Sequence, residues 1–400
     1  MLGFMLDAMD VLLYVFALQT LRAEFGWTNA QAGLVSSVTL ITSSAGGVLA
    51  GALSDRIGRR RMLIYTILLY SFASAGTAFS RGLWDLLFWR ALVGLGLGGE
   101  WSAGATLVAE SWPAAQRARA VSFMQSGWAL GYMAAAGLSA FILPNYGWRA
   151  LFLAGVLPAL LTVFIRRKVQ EPEVWRHREA RRSPWRAIFR PPHGRNTLIA
   201  TTLATAVLFA YWGLFTWLPG FLNAPREQGG AGMTIVRTSG FVFAVQIGAF
   251  FGYLGFGVLA DRFGRRPAFA GYVLMAAALV PLYGLAPTYG ERWLLLLGPM
   301  VGFFGTGFFS LFGAMLAELY PTAIRGSGQG FVYNIGRGLS ALAPYAVGAL
   351  GDRHGLGAAL GLNAGFFLLG AGIVFLLPET KDVELSSEAD SGDRTGRPSG

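Results

Sequence analysis

Apolar runs, each about 18 to 25 residues long and each closed by a short polar stretch, repeat along the whole chain. A helix rising about 1.5 Å per residue needs that length to cross a hydrocarbon layer about 30 Å thick. The pattern predicts about twelve spans, near residues 1–21, 31–52, 62–80, 83–108, 120–143, 148–165, 197–222, 236–259, 268–286, 292–317, 327–350 and 356–377. The first run holds two acids and leads into further spans, so it reads as a first helix and not as a cleaved signal peptide. It begins at Met1 without a polar lead, which points to a start further upstream.

Composition agrees with the pattern. Of 400 residues, 54% are hydrophobic and 13% charged, about half the charge of a soluble domain. The net charge of +11 raises the question of a nucleic-acid surface, but the positions of the basic residues answer it. With the N-terminus inside, the even-numbered connections and the central loop hold 20 of the 32: Arg56, Arg59, Arg60, Arg61, Arg117, Arg119, ten from Arg166 to Arg195, Arg262, Arg265, Arg266 and Arg325. The opposite connections hold seven: Arg22, Arg81, Arg149, Arg226, Arg237, Arg292 and Arg353. This bias follows the positive-inside rule for a multi-pass protein of the plasma or inner membrane with both termini cytoplasmic. There is no cysteine, which removes disulfides and thiolate metal sites. The three histidines, His177, His193 and His354, fall in predicted loops, away from any proton relay inside the membrane.

The sequence GALSDRIGRRRM at 51–62 returns as GVLADRFGRRPA at 257–268, with Asp55 and Asp261 206 residues apart. AESWPAAQR, ending at Arg117, returns as AELYPTAIR, ending at Arg325, with Glu110 and Glu318 208 apart. The Pro172, Glu173 pair and the Pro378, Glu379 pair are again offset by 206. Three matched pairs at nearly one offset indicate an internal duplication, the way many transporters are built. The predicted organisation is an N-terminal six-helix half over 1–165, a cytoplasmic linker over 166–195, a C-terminal six-helix half over 196–377 and a disordered polar tail over 378–400.

The Gly-x-x-x-Asp-Arg-x-Gly-Arg-Arg loop of both halves, with Arg90 followed by Gly94, Gly96 and Gly98, resembles the major facilitator superfamily over essentially the whole chain. LDAMD at 6–10, GLGLGGEW at 94–101, QSGWALGY at 125–132, YWGLFTWLP at 211–219 and LPETK at 377–381 look like its metabolite:proton symporters, in particular the sialate and monocarboxylate branch. The last of these is shared with sugar porters. The resemblance implies an all-α membrane protein whose twelve or so helices form two pseudo-symmetric halves.

Asp55, Arg59 and Arg60 at one cytoplasmic turn, and Glu110 and Arg117 at the next, bring opposite charges to one membrane face. The resemblance implies that they latch the cytoplasmic side, in a network that also takes in Glu173, Asp261, Arg265, Glu318, Arg325 and Glu379. Alternatively these arginines set topology alone, since an exposed ion pair is worth about 0 to 1 kcal/mol.

Charges inside a membrane are costly, so each is a candidate for function. Span one holds Asp7 and Asp10, span four holds Arg90 and Glu100, and span eleven holds Arg337. Asp7 and Asp10 are three apart and share a helix face. Two close acids in low dielectric do not both ionise readily, so one can hold the proton that coupling requires; a structural pair bonded to a neighbouring helix is the alternative. Arg90 is expected either to relay protons with Asp10 or Glu100 or to pack, and the role of Glu100 stays open. The glycines after Arg90 permit close helix packing.

Gln125, Trp128, Tyr132, Tyr211, Trp212, Trp217, Gln246, Tyr333 and Asn334 lie on spans that the resemblance makes cavity-lining, although membrane aromatics more often pack or face lipid. Arg337 lies twelve residues beyond Arg325, about 18 Å into the membrane, with Asn334 on the same face. A planar guanidinium suits a carboxylate through two bonds, and Gly336 is expected to leave room for the ligand. The alternative is that Arg337 pairs with Asp10 across the halves.

Three functions compete: proton-coupled uptake of a small organic anion (monocarboxylate, sialate or aromatic acid), a sugar or polyol carrier, and a drug efflux antiporter. Span five reads MQSGWALGYMAAAG and lacks the Gly-Pro pair of the antiporters, and a sugar carrier needs no central arginine. Anion uptake leads. Nothing resembles a nucleophile with its base, so no enzyme is expected. The expected partners are a solute, protons and the bilayer, without nucleic acid, metal or cofactor, and with a monomer as the working unit.

Overall fold

The computed structural model describes residues 2–57, 59–111, 114–157, 159, 184–320 and 322–381. Helices lie where the apolar runs predict them. Leu2–Phe25, Asn29–Ile57, Arg59–Thr77 and Leu83–Ser111 are spans one to four. Ala114–Leu153 is a single run that turns sharply at Gly147 (φ 77°, ψ 176°), so spans five and six meet without a loop. A left-handed φ costs glycine nothing because no Cβ is present. His193–Asn223, Ile235–Phe263 and Arg265–Tyr289 are spans seven to nine. Span ten is Glu291–Gly307 with Phe309–Leu319, and span eleven is Thr322–Ser340 with Leu342–His354. Span twelve runs from Leu356–Leu360 through Leu362–Ile373 to the 3₁₀ turn Val374–Leu376. Among the described residues seven stretches are long and apolar enough to cross a membrane, and no strand occurs. Large apolar side chains such as Phe72, Phe251 and Leu296 are exposed, as a lipid-facing surface requires.

The helix pairings repeat between the halves. Span two packs on four as eight packs on ten, one on five as seven on eleven, and three on four as nine on ten. Between the halves, five packs on eight and two on eleven, which are again equivalent pairs. Glycines allow these contacts. A Cβ on Gly46, Gly94 or Gly98 would overlap the main chain of the facing helix between spans two and four, and one on Gly248, Gly252 or Gly302 would do so between eight and ten.

Some sequence boundaries shift. The helix of span seven starts at His193, inside the stretch assigned to the linker, and the rest of that stretch up to residue 183 lies outside the described residues. His193 and His354 are the first and last residues of helices rather than loop residues. At the other end, Glu379, Thr380 and Lys381 are not free tail. The Glu379 carboxylate accepts the main-chain N–H of Arg265 at 2.8 Å and of Arg266 at 3.1 Å, docking this segment on the turn between spans eight and nine. Residues 382–400 lie outside the described residues.

Candidate functional site

Arg337 sits in the seam between spans two and eleven, 7% exposed. Its Nη2 donates to Ser43 O at 2.9 Å and to Asn334 Oδ1 at 2.7 Å, and the guanidinium lies 5.4 Å from the centre of the Tyr333 ring. Asn334 Nδ2 donates to Gly330 O, and Ser44 Oγ donates to Asn334 O at 2.5 Å. Gly47 makes the approach possible, because a Cβ there would meet the Asn334 amide. Among the described residues no carboxylate pairs with Arg337 and its Nε has no partner. The alternative pairing with Asp10 is therefore not what this arrangement holds. Gly336 faces span seven, where a Cβ would crowd Ala204 and Thr205, so its smallness serves packing and not ligand space.

Asp10 is fully buried and lies within electrostatic reach of Arg90, itself 1% exposed. Ser74 and Gly155 adjoin the carboxyl, since a Cβ on Gly155 would touch both Ser74 Oγ and Asp10 Oδ1. Arg90 Nη2 donates to Val11 O at 3.4 Å, and the guanidinium stands 5.3 Å from the Tyr14 ring centre. Tyr14 in turn donates its hydroxyl to Ala32 O on span two at 2.8 Å. Among the described residues neither Asp10 oxygen, nor Arg90 Nε or Nη1, has a partner at full hydrogen-bond geometry, although Ser74 stands beside the carboxyl as an electrostatic partner. Uncompensated buried polar atoms of this kind are expensive. Asp7 is buried and engaged with other groups; the Glu100 side chain lies outside the described side chains.

The aromatic residues expected at a cavity contact one another. Trp128 Nε1 donates to the Tyr211 hydroxyl at 2.6 Å, Trp212 meets Trp128 edge-on at 6.0 Å, and Tyr132 donates to Phe215 O at 2.8 Å. Trp217 is structural: its Nε1 donates to Pro344 O at 2.8 Å and its ring backs Gly348. Gln125 and Gln246 are both buried, and Gln246 Nε2 and Trp212 Nε1 have no acceptor among the described residues.

On the face of the repeated loops, Arg265 Nη1 lies 2.5 Å from Asp261 Oδ1 and Nη2 3.4 Å from Glu318 Oε1, while Thr380 donates to Glu318 at 2.5 Å. The described members of the expected latch thus bond within the C-terminal half. Burial alone would raise the Glu379 carboxyl, but the N–H groups of Arg265, Arg266, Lys381 and Thr380 outweigh it and hold its pKa below the ordinary 4.5. Glu173 lies outside the described residues, and the side chains of Asp55, Arg59, Arg60, Glu110, Arg117 and Arg325 lie outside the described side chains.

The sequence profile of the Major Facilitator Superfamily matches residues 1–254 and 229–395. The chain belongs to that superfamily. It is 34% identical to a Cupriavidus pinatubonensis protein whose name proposes 4-methylmuconolactone as cargo, over 97% of this chain and 92% of the other. It is 30% identical to the sialic acid transporter NanX of Escherichia coli, over 90% of this chain and 87% of the other. The crystal structure of a D-xylose-proton symporter superposes with a TM-score of 0.76 at 20% identity, covering 95% of this chain and 97% of the other, and so shares the fold. This superfamily member is a multi-pass membrane transporter of small molecules.

Proposed function

We propose that the chain takes up a small organic anion, driven by protons, by alternating access between an N-terminal half over 1–165 and a C-terminal half over 196–377. The observation that carries this reading is Arg337, a buried guanidinium at the seam of the halves whose partners among the described residues are a main-chain carbonyl, an amide oxygen and a ring. A buried cation without a carboxylate partner is costly, and an incoming anion would compensate it. The unbonded donors Gln246 Nε2 and Trp212 Nε1 suit a cargo that accepts hydrogen bonds. The acid named in the NanX relative supports the same substrate class. Asp10, with Arg90 as its electrostatic partner, is the proton site, and Asp7 and Glu100 are secondary. A single chain suffices as the working unit. The bias of basic residues supports an orientation with both termini and residues 166–195 in the cytoplasm, in a plasma or inner membrane.

The test is isotope uptake over a panel of carboxylates and sugars, each with and without an imposed pH gradient. Uptake of a carboxylate that rises with an inward proton gradient is the expected result. Uptake confined to neutral sugars would replace the anion reading with a sugar carrier. Reporter fusions after Arg190 and after Arg226 should locate on opposite sides of the membrane, and finding both on one side would overturn the orientation.

A further inference from the structure

One carboxylate joins the halves at the end of the seam remote from the repeated loops. Asp352, in the last turn of Leu342–His354, accepts Asn29 N–H on Oδ1 at 2.9 Å and Ala30 N–H on Oδ2 at 3.0 Å. Those two amides open the helix of span two and have no partner within it. The helix caps itself one step further in, where Thr28 Oγ1 accepts Gln31 N–H and Gln31 Oε1 accepts Thr28 N–H. The first two amides are thus left to a side chain more than 320 positions away. Their aligned dipoles present partial positive charge, which favours a carboxylate.

Neighbouring contacts converge on the same point. Arg22 on span one is within electrostatic reach of Asp352 and donates to Gln19 Oε1 at 2.7 Å, while Gln19 Nε2 reaches Gly220 O of the other half at 3.2 Å. Just below, a Cβ on Gly33 would overlap the Pro344 main chain and one on Gly348 would crowd the Asn29 carbonyl, so the two backbones touch. Deeper along the same helix pair lie the Ser44 to Asn334 and Arg337 to Ser43 bonds.

We propose that Asp352 is the latch of the gate opposite the cytoplasm, closing it by capping the first turn of span two, so that releasing this cap is what lets Arg337 part from Ser43. Asp352 is a positioning residue and does not touch solute. The inference rests on alternating access, though not on the identity of the cargo or on proton coupling, and its test needs neither.

The absence of native cysteine makes the test direct. Ser44→Cys places one thiol in the closed seam beneath Asp352. Ser122→Cys places one in the other seam, where Ser122 Oγ lies 3.7 Å from the position of a Cβ on Gly257. In proteoliposomes, a membrane-impermeant maleimide offered from each side reports how often each seam opens. Asp352→Asn and Asp352→Ala should raise labelling of Ser44→Cys about ten-fold, as weakening two charge-assisted bonds predicts, and lower labelling of Ser122→Cys. Unchanged labelling of Ser44→Cys in both variants overturns the latch. A parallel rise at both thiols also overturns it, because that pattern means general loosening of the fold.

Discussion

Arg337 and Ser43, 294 residues apart in sequence, are joined by a 2.9 Å hydrogen bond from the guanidinium to a main-chain carbonyl. A carbonyl offers only a partial charge, so the cation retains most of its attraction for an anion when the seam parts. Arg337→Lys keeps the charge and loses the planar fork, and is expected to raise the KM for a carboxylate about 10- to 100-fold, roughly 1.4 to 2.8 kcal/mol. Arg337→Gln should lose anion uptake with little change in melting temperature, since no described carboxylate is stranded. Unchanged KM in the Gln variant would remove the main support for anion transport.

Asp10→Asn should abolish accumulation of solute against its gradient while sparing exchange down it, with Asp7→Asn weaker. The reason is that Asp10 and Arg90 are buried within electrostatic reach of each other, with one long main-chain bond on Arg90 and only Ser74 beside the Asp10 carboxyl. Counterflow and pH-driven uptake in the same vesicles separate the two activities. Normal accumulation in both variants would move the proton site elsewhere, with Glu100 next.

Gly302→Ala is expected to destabilise by about 1 to 3 kcal/mol, because its Cβ would enter the Val245 carbonyl between spans eight and ten. Gly271→Ala, where a Cβ meets nothing within 4 Å, should leave the melting temperature unchanged or raise it. Thermal unfolding in detergent compares them, and equal losses would contradict backbone contact as the cause.

Glu379 has a lowered pKa through its N–H partners, so its ionised form stabilises the folded protein at neutral pH. That contribution is complete above the ordinary value of 4.5 and is lost as pH falls through the lowered one. Glu379→Gln should therefore melt lower than the parent at pH 7, with the difference shrinking on acidification. A constant difference across that range would mean that the carboxylate charge is not what holds the segment.

Spans, duplication and family were legible in the sequence because run length and repeated motifs are local properties. The partner of each buried charge was not. Ser43 and Ser74 carry no signal as neighbours of Arg337 and Asp10, since their roles depend on which helix faces lie opposite, and Ser43 contributes only its main chain. Gly336 shows the same limit: a small residue next to a candidate ligand-binding arginine reads as ligand space, yet helix phase turns it toward span seven. Asp352 carries no sequence signal either, because an acid in a polar turn gains a role only where the turn abuts a helix start.

Tyr14 is held at both ends of its ring system: its hydroxyl is tied to Ala32 on span two, and its face supports the Arg90 guanidinium. A shift of span two must either drag the phenol along or leave the Ala32 carbonyl and the hydroxyl unbonded. In both cases the surface under Arg90 changes, and with it the field at Asp10. With Asp10 as the proposed proton site, this tyrosine would make gate position and proton affinity thermodynamically reciprocal: whatever favours one posture of span two would also bias the loading of the acid, and the acid would push back by the same amount.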